Sequence, residues 1–299
     1  MPTKIITRIF GGIGNQLFCY AAARRLSIVN NAELVIDNVS GFAYDHDYER
    51  HYQLNHFNIP CRNATRAERF EPFSRMRRYL KRRINQRRPL EQRQYIQQEG
   101  IGFDPRLLEY NPRGTVYLEG YWQSEGYFKD IEQSLREDLR IASPSDAKNL
   151  RMNEEILKSN AVAIHVRLFD ELSSNFSHNA SLAYYHNAIA LIEKKIVSPR
   201  YFLFSDNTDA ARKLLKFPGD NVAYVSHNNG DENAYADLWL MTKCRHFIIA
   251  NSSFSWWGAW LGETQADTVI ITPGMLQGKV TAWGFPGLIP DRWIVIDHH

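Results

Sequence analysis

Cysteine is scarce: Cys19, Cys61 and Cys244 are the only three in 299 residues. An odd count with neither C-x-x-C spacing nor a histidine cluster argues against a disulfide framework and against structural zinc, and fits a reducing compartment. Long apolar runs are missing too. Nowhere do about 18 uninterrupted apolar residues occur, and the opening MPTKIITRIFGG has no apolar signal core. Neither secretion nor a spanning helix is expected, so the expected location is cytoplasmic. Asn-x-Ser/Thr triplets such as Asn175-Phe176-Ser177 then carry no glycosylation meaning. Internal repeats and low-complexity segments are also absent. The net charge is only +3, which does not support a nucleic-acid footprint over the whole chain.

That small net charge hides one concentrated patch. Between Arg75 and Arg93 nine basic residues face a single acid, Glu91, a local balance of +8. Phe73, Met76, Leu80 and Ile84 repeat at three, four and four within it, the spacing of an amphipathic helix. Two readings stay open for this helix: it packs its apolar stripe inward, or it lies peripherally on anionic lipid at the inner face of a membrane.

Ordinary hydrophobic (44%) and charged (23%) fractions describe a soluble globular chain, and its length favours two domains. Aromatics at 13% are rich, which hints at a cleft that stacks planar or sugar-like ligands. Ile5 to Phe10 reads as a buried strand broken by Gly11, Gly12 and Gly14 ahead of a helix carrying Leu17, Phe18, Ala21, Ala22, Leu26 and Val29. Strands follow at Leu34 to Ile36 and Thr115 to Leu118, and Phe128, Ile131, Leu135 and Leu139 predict a helix closing this half.

A helix-start signal, Ser143-Pro144-Ser145, places the boundary between a domain at 1–145 and a second at 146–299. After it, strands are expected at Ala161 to Leu168, Tyr201 to Phe204, Val222 to Val225, Phe247 to Ala250, Thr268 to Ile271 and Trp293 to Ile296, separated by helical patterns. Such alternation implies an α/β fold with parallel sheets covered on both faces.

Ligands of open parallel sheets gather at the carboxyl ends of strands. Polar groups mark four such ends: Gly11 to Gln16, His165 to Asp170, Ser205-Asp206-Asn207, and Asn251-Ser252-Ser253-Phe254-Ser255. The last precedes a helix, whose start binds phosphate through free N–H groups and hydroxyls, or is simply N-capped by Asn251 or Ser252. Arg167, ending a buried strand, needs an anionic partner. Asp170 is one candidate and a diphosphate is the other. Asp237, on a helix, offers a carboxylate to the paired N–H donors of a guanine edge. Gly12 and Gly14 fit the first two glycines of a dinucleotide fingerprint, but Leu17 holds the third place; Asp37, about twenty residues on, keeps a nicotinamide oxidoreductase weakly open. Asp45-His46-Asp47 matches a metal-holding D-x-D only as three letters in a tyrosine-rich loop.

Together these segments resemble the α-1,2-fucosyltransferases of glycosyltransferase family 11. The family's signatures stand here as GGIGNQLFCYA at 11–21, HVRLFD at 165–170, FSDN at 204–207 and NSSFSWWGAWL at 251–261, with GYWQSEGYF at 120–128 similar as well. The resemblance implies a two-domain GT-B-type fold with Rossmann-like sheets, residues 1–145 serving the acceptor and 146–299 the nucleotide sugar. It implies L-fucose transfer from GDP-β-L-fucose to the 2-hydroxyl of a galactose-containing or lipid-linked glycan in surface polysaccharide (O-antigen) synthesis, with inversion and with neither metal nor other cofactor. It assigns Arg167, Asp170 and Asn15 to catalysis. Substrate contacts fall to Gly12, Gly14, Gln16, His165, Ser205, Asp206, Asp237, Asn251, Ser252, Ser253 and Ser255. In this scheme Arg167 grips the β-phosphate, Ser253 and its neighbours the diphosphate, Asp237 the guanine, and Asn15 with Gln16 the sugar or acceptor. Leu168 stands where the family has a second arginine. That departure opens GDP-colitose or another GDP-deoxysugar as donor, and a non-catalytic glycan-binding module as a further alternative.

Overall fold

Parallel strands need crossover connections, and this chain supplies them twice. The computed structural model describes residues 3–43, 45, 49–169, 179–217, 220–277 and 282–297. Two units result, Met1–Ile141 and Ala142–His299.

In the first unit β1 (Lys4–Arg8), β2 (Glu33–Asp37), β3 (Arg62–Asn63), β4 (Tyr95–Gln97) and β5 (Thr115–Glu119) form one sheet. Its order is β3-β2-β1-β5-β4 and all pairings are parallel. β1 is central, with Ile5 opposite Leu34 on one side and Val116 on the other; all three are buried, as strands covered on both faces require. α1 (Ile13–Val29) is buried over most of its length, and Ala21, Ala22 and Ala23 let it lie close to its neighbours. α2 (Ser74–Gln86) falls within the basic segment. The helix expected through Phe128 to Leu139 winds as 3₁₀ turns at Glu125–Tyr127 and Lys129–Ile131 before becoming α3 (Glu132–Asp138). Phe128, Ile131, Leu135 and Leu139 are nonetheless all buried, so the apolar stripe holds while the winding is tighter.

The second unit opens with α4 (Ala147–Leu157). Its N-cap is Asp146, whose carboxylate accepts from the N–H groups of Lys148 and Asn149. Then come β6 (Asn160–Val166), α5 (Leu182–Lys195), β7 (Pro199–Ser205), α6 (Thr208–Leu215), β8 (Val222–Val225), α7 (Ala234–Met241), β9 (His246–Ile248), α8 (Ser253–Gly262) and β10 (Ile270–Pro273). A short antiparallel hairpin, β11 (Leu276–Gln277) with β12 (Ala282–Trp283), precedes β13 (Ile294–Ile296). The main sheet runs β13-β10-β9-β6-β7-β8, again parallel throughout.

β6 stops at Val166, two residues short of the expected end. Val166 is the last residue paired with β7, opposite Ser205. Beyond it the Asp206 carboxylate accepts from the Leu168 N–H at 3.3 Å, so a side chain replaces the ladder. α8 is almost wholly buried, including Trp256, Trp257 and Trp260. A Cβ at Gly258 would sit 2.4 Å from Met241 Sδ, which explains a glycine inside that helix. Among the described residues no helix is long and apolar enough to cross a membrane.

Candidate active site

Each sheet has a point where successive strands begin to be added on the other side, and the strand ends there leave a crevice. In the second unit β7 and β8 step away from β6 on one side, while β9, β10 and β13 step away on the other. The segments leaving β6 and β9 therefore flank the crevice, and these carry His165-Val166-Arg167 and Asn251-Ser252-Ser253.

Arg167 is held by Asp206, at the end of β7, through a 3.0 Å ion pair. A quarter of the Arg167 side chain remains exposed, and its guanidinium lies 5.0 Å over the Phe169 ring. Asp206 is thus an anionic partner of Arg167 among the described residues; Asp170, the candidate that the sequence offers, lies outside them. The pairing follows from register, because β6 and β7 are neighbours that end together at Val166 and Ser205. Leu168 turns the other way and packs on the core cluster that contains Val166 and Tyr185.

His165 is buried beside the Phe254 ring, with centroids 5.2 Å apart. Burial, and secondarily the Arg167 charge, lower its pKa to about 3, so the ring is neutral at physiological pH. Its Nδ1 has no hydrogen-bond partner among the described residues. Two tyrosines on α5, neither expected at the site from the sequence, brace this region: Tyr185 donates to His165 O at 3.0 Å, and Tyr184 lies 2.6 Å from Ile249 O and 3.1 Å from Ile271 O. Adjacent tyrosines at the start of an expected helix were the available signal.

α8 begins at Ser253 with Ser252 as N-cap, and the Ser252 side chain makes no capping hydrogen bond. Ser252 and Ser253 are half-buried, Asn251 buried. Ser255 is different. It is fully buried, and its hydroxyl lies 3.4 Å from Ala250 O and 3.3 Å from Ser252 O. At the start of the helix, its hydroxyl braces the turn against backbone carbonyls. Ser205 Oγ accepts from the Asn207 N–H at 3.1 Å, and Asn207 in turn caps α6.

Asp237 sits on α7 in a polar network that the sequence did not reveal. Asn228 Nδ2 donates to Asp237 Oδ1 at 2.8 Å and to Asn149 Oδ1 at 2.9 Å. Asn149 Nδ2 donates to Asn228 Oδ1 and to the capping Asp146, and His227 Nε2 lies 3.1 Å from Asn149 Oδ1. Desolvation raises the Asp237 pKa to about 7, against the opposing hydrogen bond from Asn228. The D-x-x-N spacing of Asp146 and Asn149 was the sequence signal for the far end of this network.

In the first unit β1 lies between β2 and β5, so the Gly11 turn and the segment after β5 flank the crevice. Gly11 has φ +76°, where a side chain is strained, and a Cβ there would also meet Asn15 Nδ2 and the Tyr121 hydroxyl at 3.1 Å. Gly12 is the N-cap of α1, and Gly14 is buried inside its first turn. Asn15 accepts from Gln123 Nε2 at 2.8 Å, joining the two sides of the crevice. Gln16, expected to face a sugar, is 0% exposed. Its amide donates to Gly11 O and His51 O and accepts from the Gln53 N–H, all within 2.9 Å. Every polar atom of this side chain is taken up by backbone, so Gln16 fixes the turn. Of the D-x-D candidate, Asp45 accepts from the Arg50 N–H at 3.1 Å; His46 and Asp47 lie outside the described residues.

One crevice holds an amide pair beside its glycine turn, with Arg50 close to Gly12; the other holds an ion pair, hydroxyls and a helix start. Comparison with known proteins gives a direction. Alpha-1,2-colitosyltransferase of Escherichia coli is 27% identical over 98% of this chain and 99% of that protein. The O-antigen biosynthesis glycosyltransferase WbnK of Escherichia coli is 28% identical over 95% of this chain and 97% of its own. Among solved structures, NodZ alpha-1,6-fucosyltransferase soaked with GDP-fucose superposes with a TM-score of 0.52 at 18% identity, covering 87% of this chain and 93% of that one. The architecture is thus the GT-B-like one of fucosyltransferases. Residues 7–278, spanning every motif above, match glycosyl transferase family 11, and the chain belongs to that family of glycosyltransferases.

Proposed function

We propose that this glycosyltransferase moves L-fucose from GDP-β-L-fucose to the 2-hydroxyl of a galactoside in O-antigen synthesis, by inversion and without a metal. The observation that carries the reading is Arg167, held by Asp206 at the second unit's crevice beside the start of α8. Guanidinium N–H donors match diphosphate oxygens in pairs, and a helix start adds oriented N–H groups of the same polarity.

In the proposed reaction the anomeric carbon–oxygen bond to the β-phosphate lengthens while the acceptor oxygen closes from the opposite face. Negative charge grows on the departing diphosphate, where Arg167, Ser252 and Ser253 donate to it. Donors preorganised for such a charge supply several kcal/mol, on the order of 3 for one removed donor. Asp237 receives the guanine edge, supported by Asn228. The acceptor proton leaves to a base, for which Asp170 is the candidate within the motif. Asn15, steadied by Gln123, orients the acceptor sugar from the first unit.

GDP-colitose is the competing donor, favoured by the name of the colitosyltransferase relative and by Leu168 in place of a second arginine. The deciding experiment is transfer from a panel of GDP-sugars to galactoside acceptors, with product linkage read by NMR. Fucosylation at the 2-hydroxyl is the expected result. Preference for GDP-colitose would move the donor assignment, and no transfer from any GDP-sugar would sink the reading.

A further inference from the structure

A surface helix ordinarily turns its apolar stripe to the core and its charges to water. α2 is seated the other way round. Its buried residues are Arg78 and Asn85, while Phe73, Met76, Tyr79, Leu80 and Ile84 are 70%, 57%, 51%, 50% and 54% exposed. At about 100° per residue, Met76, Tyr79, Leu80 and Ile84 share one face, and Arg78 and Asn85 lie opposite.

Polar contacts hold it in that orientation. Asn85 Oδ1 accepts from the N–H groups of Gln94 and Tyr95, tying the helix to edge strand β4. Arg82 pairs at 2.9 Å with Glu119, whose other oxygen is held by Arg8. The Lys81 ammonium lies over the Phe70 ring. These bonds fix the polar face to the sheet, so the apolar face has nowhere to turn but outward.

Cations border the exposed stripe. Arg77, Lys81, Arg83, Arg87 and Arg88 make no ion pair among the described residues, and the helix itself contains no acid. We infer that α2 is a docking surface for an anionic lipid bilayer. Apolar side chains enter the acyl boundary while flanking arginines and lysines meet the headgroups. A second copy of this chain fits less well, because a two-fold contact would bring two like-charged stripes together. A nucleic acid would leave the apolar stripe in water.

The inference stands apart from the sugar-transfer reading, since vesicle binding is measured with neither donor nor acceptor. The purified full chain is sedimented with phosphatidylcholine vesicles and with vesicles also containing phosphatidylglycerol. The expected result is binding to the anionic vesicles that weakens with salt. Replacing Met76, Leu80 and Ile84 together by Asp should weaken it roughly tenfold or more, and replacing Arg77, Arg83 and Arg87 by Gln should do so by several-fold. Both changes lie on exposed residues, and an unchanged circular dichroism melt establishes that the fold is intact. Equal binding to both vesicle types, or no binding to either, overturns the inference. So does a dimer in analytical ultracentrifugation that the Asp variant dissolves while vesicle binding persists.

Discussion

The crevices of the two units both lie where a parallel sheet changes its direction of growth, and each is tied across by a different pair. In the first, the turn after β1 faces the segment after β5 across an amide pair, Asn15 with Gln123. In the second, the ends of β6 and β7 meet through an ion pair, Arg167 with Asp206. The first also carries charge, since Arg8 and Glu119 pair at the ends of β1 and β5, so the difference lies in an amide pair beside the glycine turn in one crevice and a cation near a helix start in the other. The former chemistry suits sugar hydroxyls, the latter a leaving diphosphate. The lesson is that parallel-sheet topology locates a site, whereas a few side chains at the strand ends decide what it holds.

Substitutions can break that comparison. The largest effect is expected from Arg167→Ala, which should lower turnover about 10²- to 10³-fold with the fold retained. Asn15→Ala should raise the acceptor KM and leave GDP affinity alone. If both variants lost GDP affinity equally, in calorimetric titration, the division of labour between the crevices would be wrong.

Gln16→Ala probes the first unit's crevice through stability. It strips partners from Gly11 O, His51 O and the Gln53 N–H inside the protein, a loss of about 2–3 kcal/mol. Urea denaturation measures it, and a loss confined to catalysis would restore Gln16 as a ligand contact.

Asp206→Asn tests the cationic crevice more gently. The neutral amide releases Arg167 from its counter-ion, so turnover is expected to fall about tenfold through mispositioning. Inhibition by inorganic phosphate should strengthen in the same variant. Unchanged kinetics would mean that the ion pair does not hold the guanidinium in place.

The smallest effect concerns pH. Asp237, with its pKa raised to about 7, is a carboxylate acceptor only above that value. GDP affinity should therefore weaken a few-fold between pH 8 and pH 6, a slope that Asp237→Asn should flatten. The stability sign is the reverse. A carboxyl whose folded pKa lies above its ordinary value costs stability progressively as pH rises from about 4 towards 7, so the same variant should melt higher than the parent at pH 8.

The strand, glycine turn and helix at Ile5 to Val29 were legible because β-branched runs, helical spacing and punctuating glycines agree there. The strand-end motifs were legible for the same reason. What stayed hidden depends on partners distant in sequence. Asp206 beside Arg167 follows from the β6–β7 register, and Asn228 reaches Asp237 and Asn149 from a loop with no pattern of its own. β3 and β4, two and three residues long, are too short for periodicity to register. α2 shows a further limit. Its spacing revealed which residues share a face, but only Asn85 and Arg82 meeting the sheet reveal which way that face points. Gln16 and Ser255 sat inside recognisable motifs, where spacing alone does not reveal that their polar atoms bond to backbone.

The ion pair at the crevice also bears on selectivity. With Asp206 in place, the charge of Arg167 is offset locally, so the crevice exerts little pull on the small anions that surround any protein in a cell. Asp206 takes one guanidinium nitrogen, Nη1, and a doubly charged group with several oxygens can bridge the remaining N–H donors, which one chloride does poorly. Binding then adds a partner to a guanidinium that stays held, and the internal carboxylate acts as a filter against weak ligands.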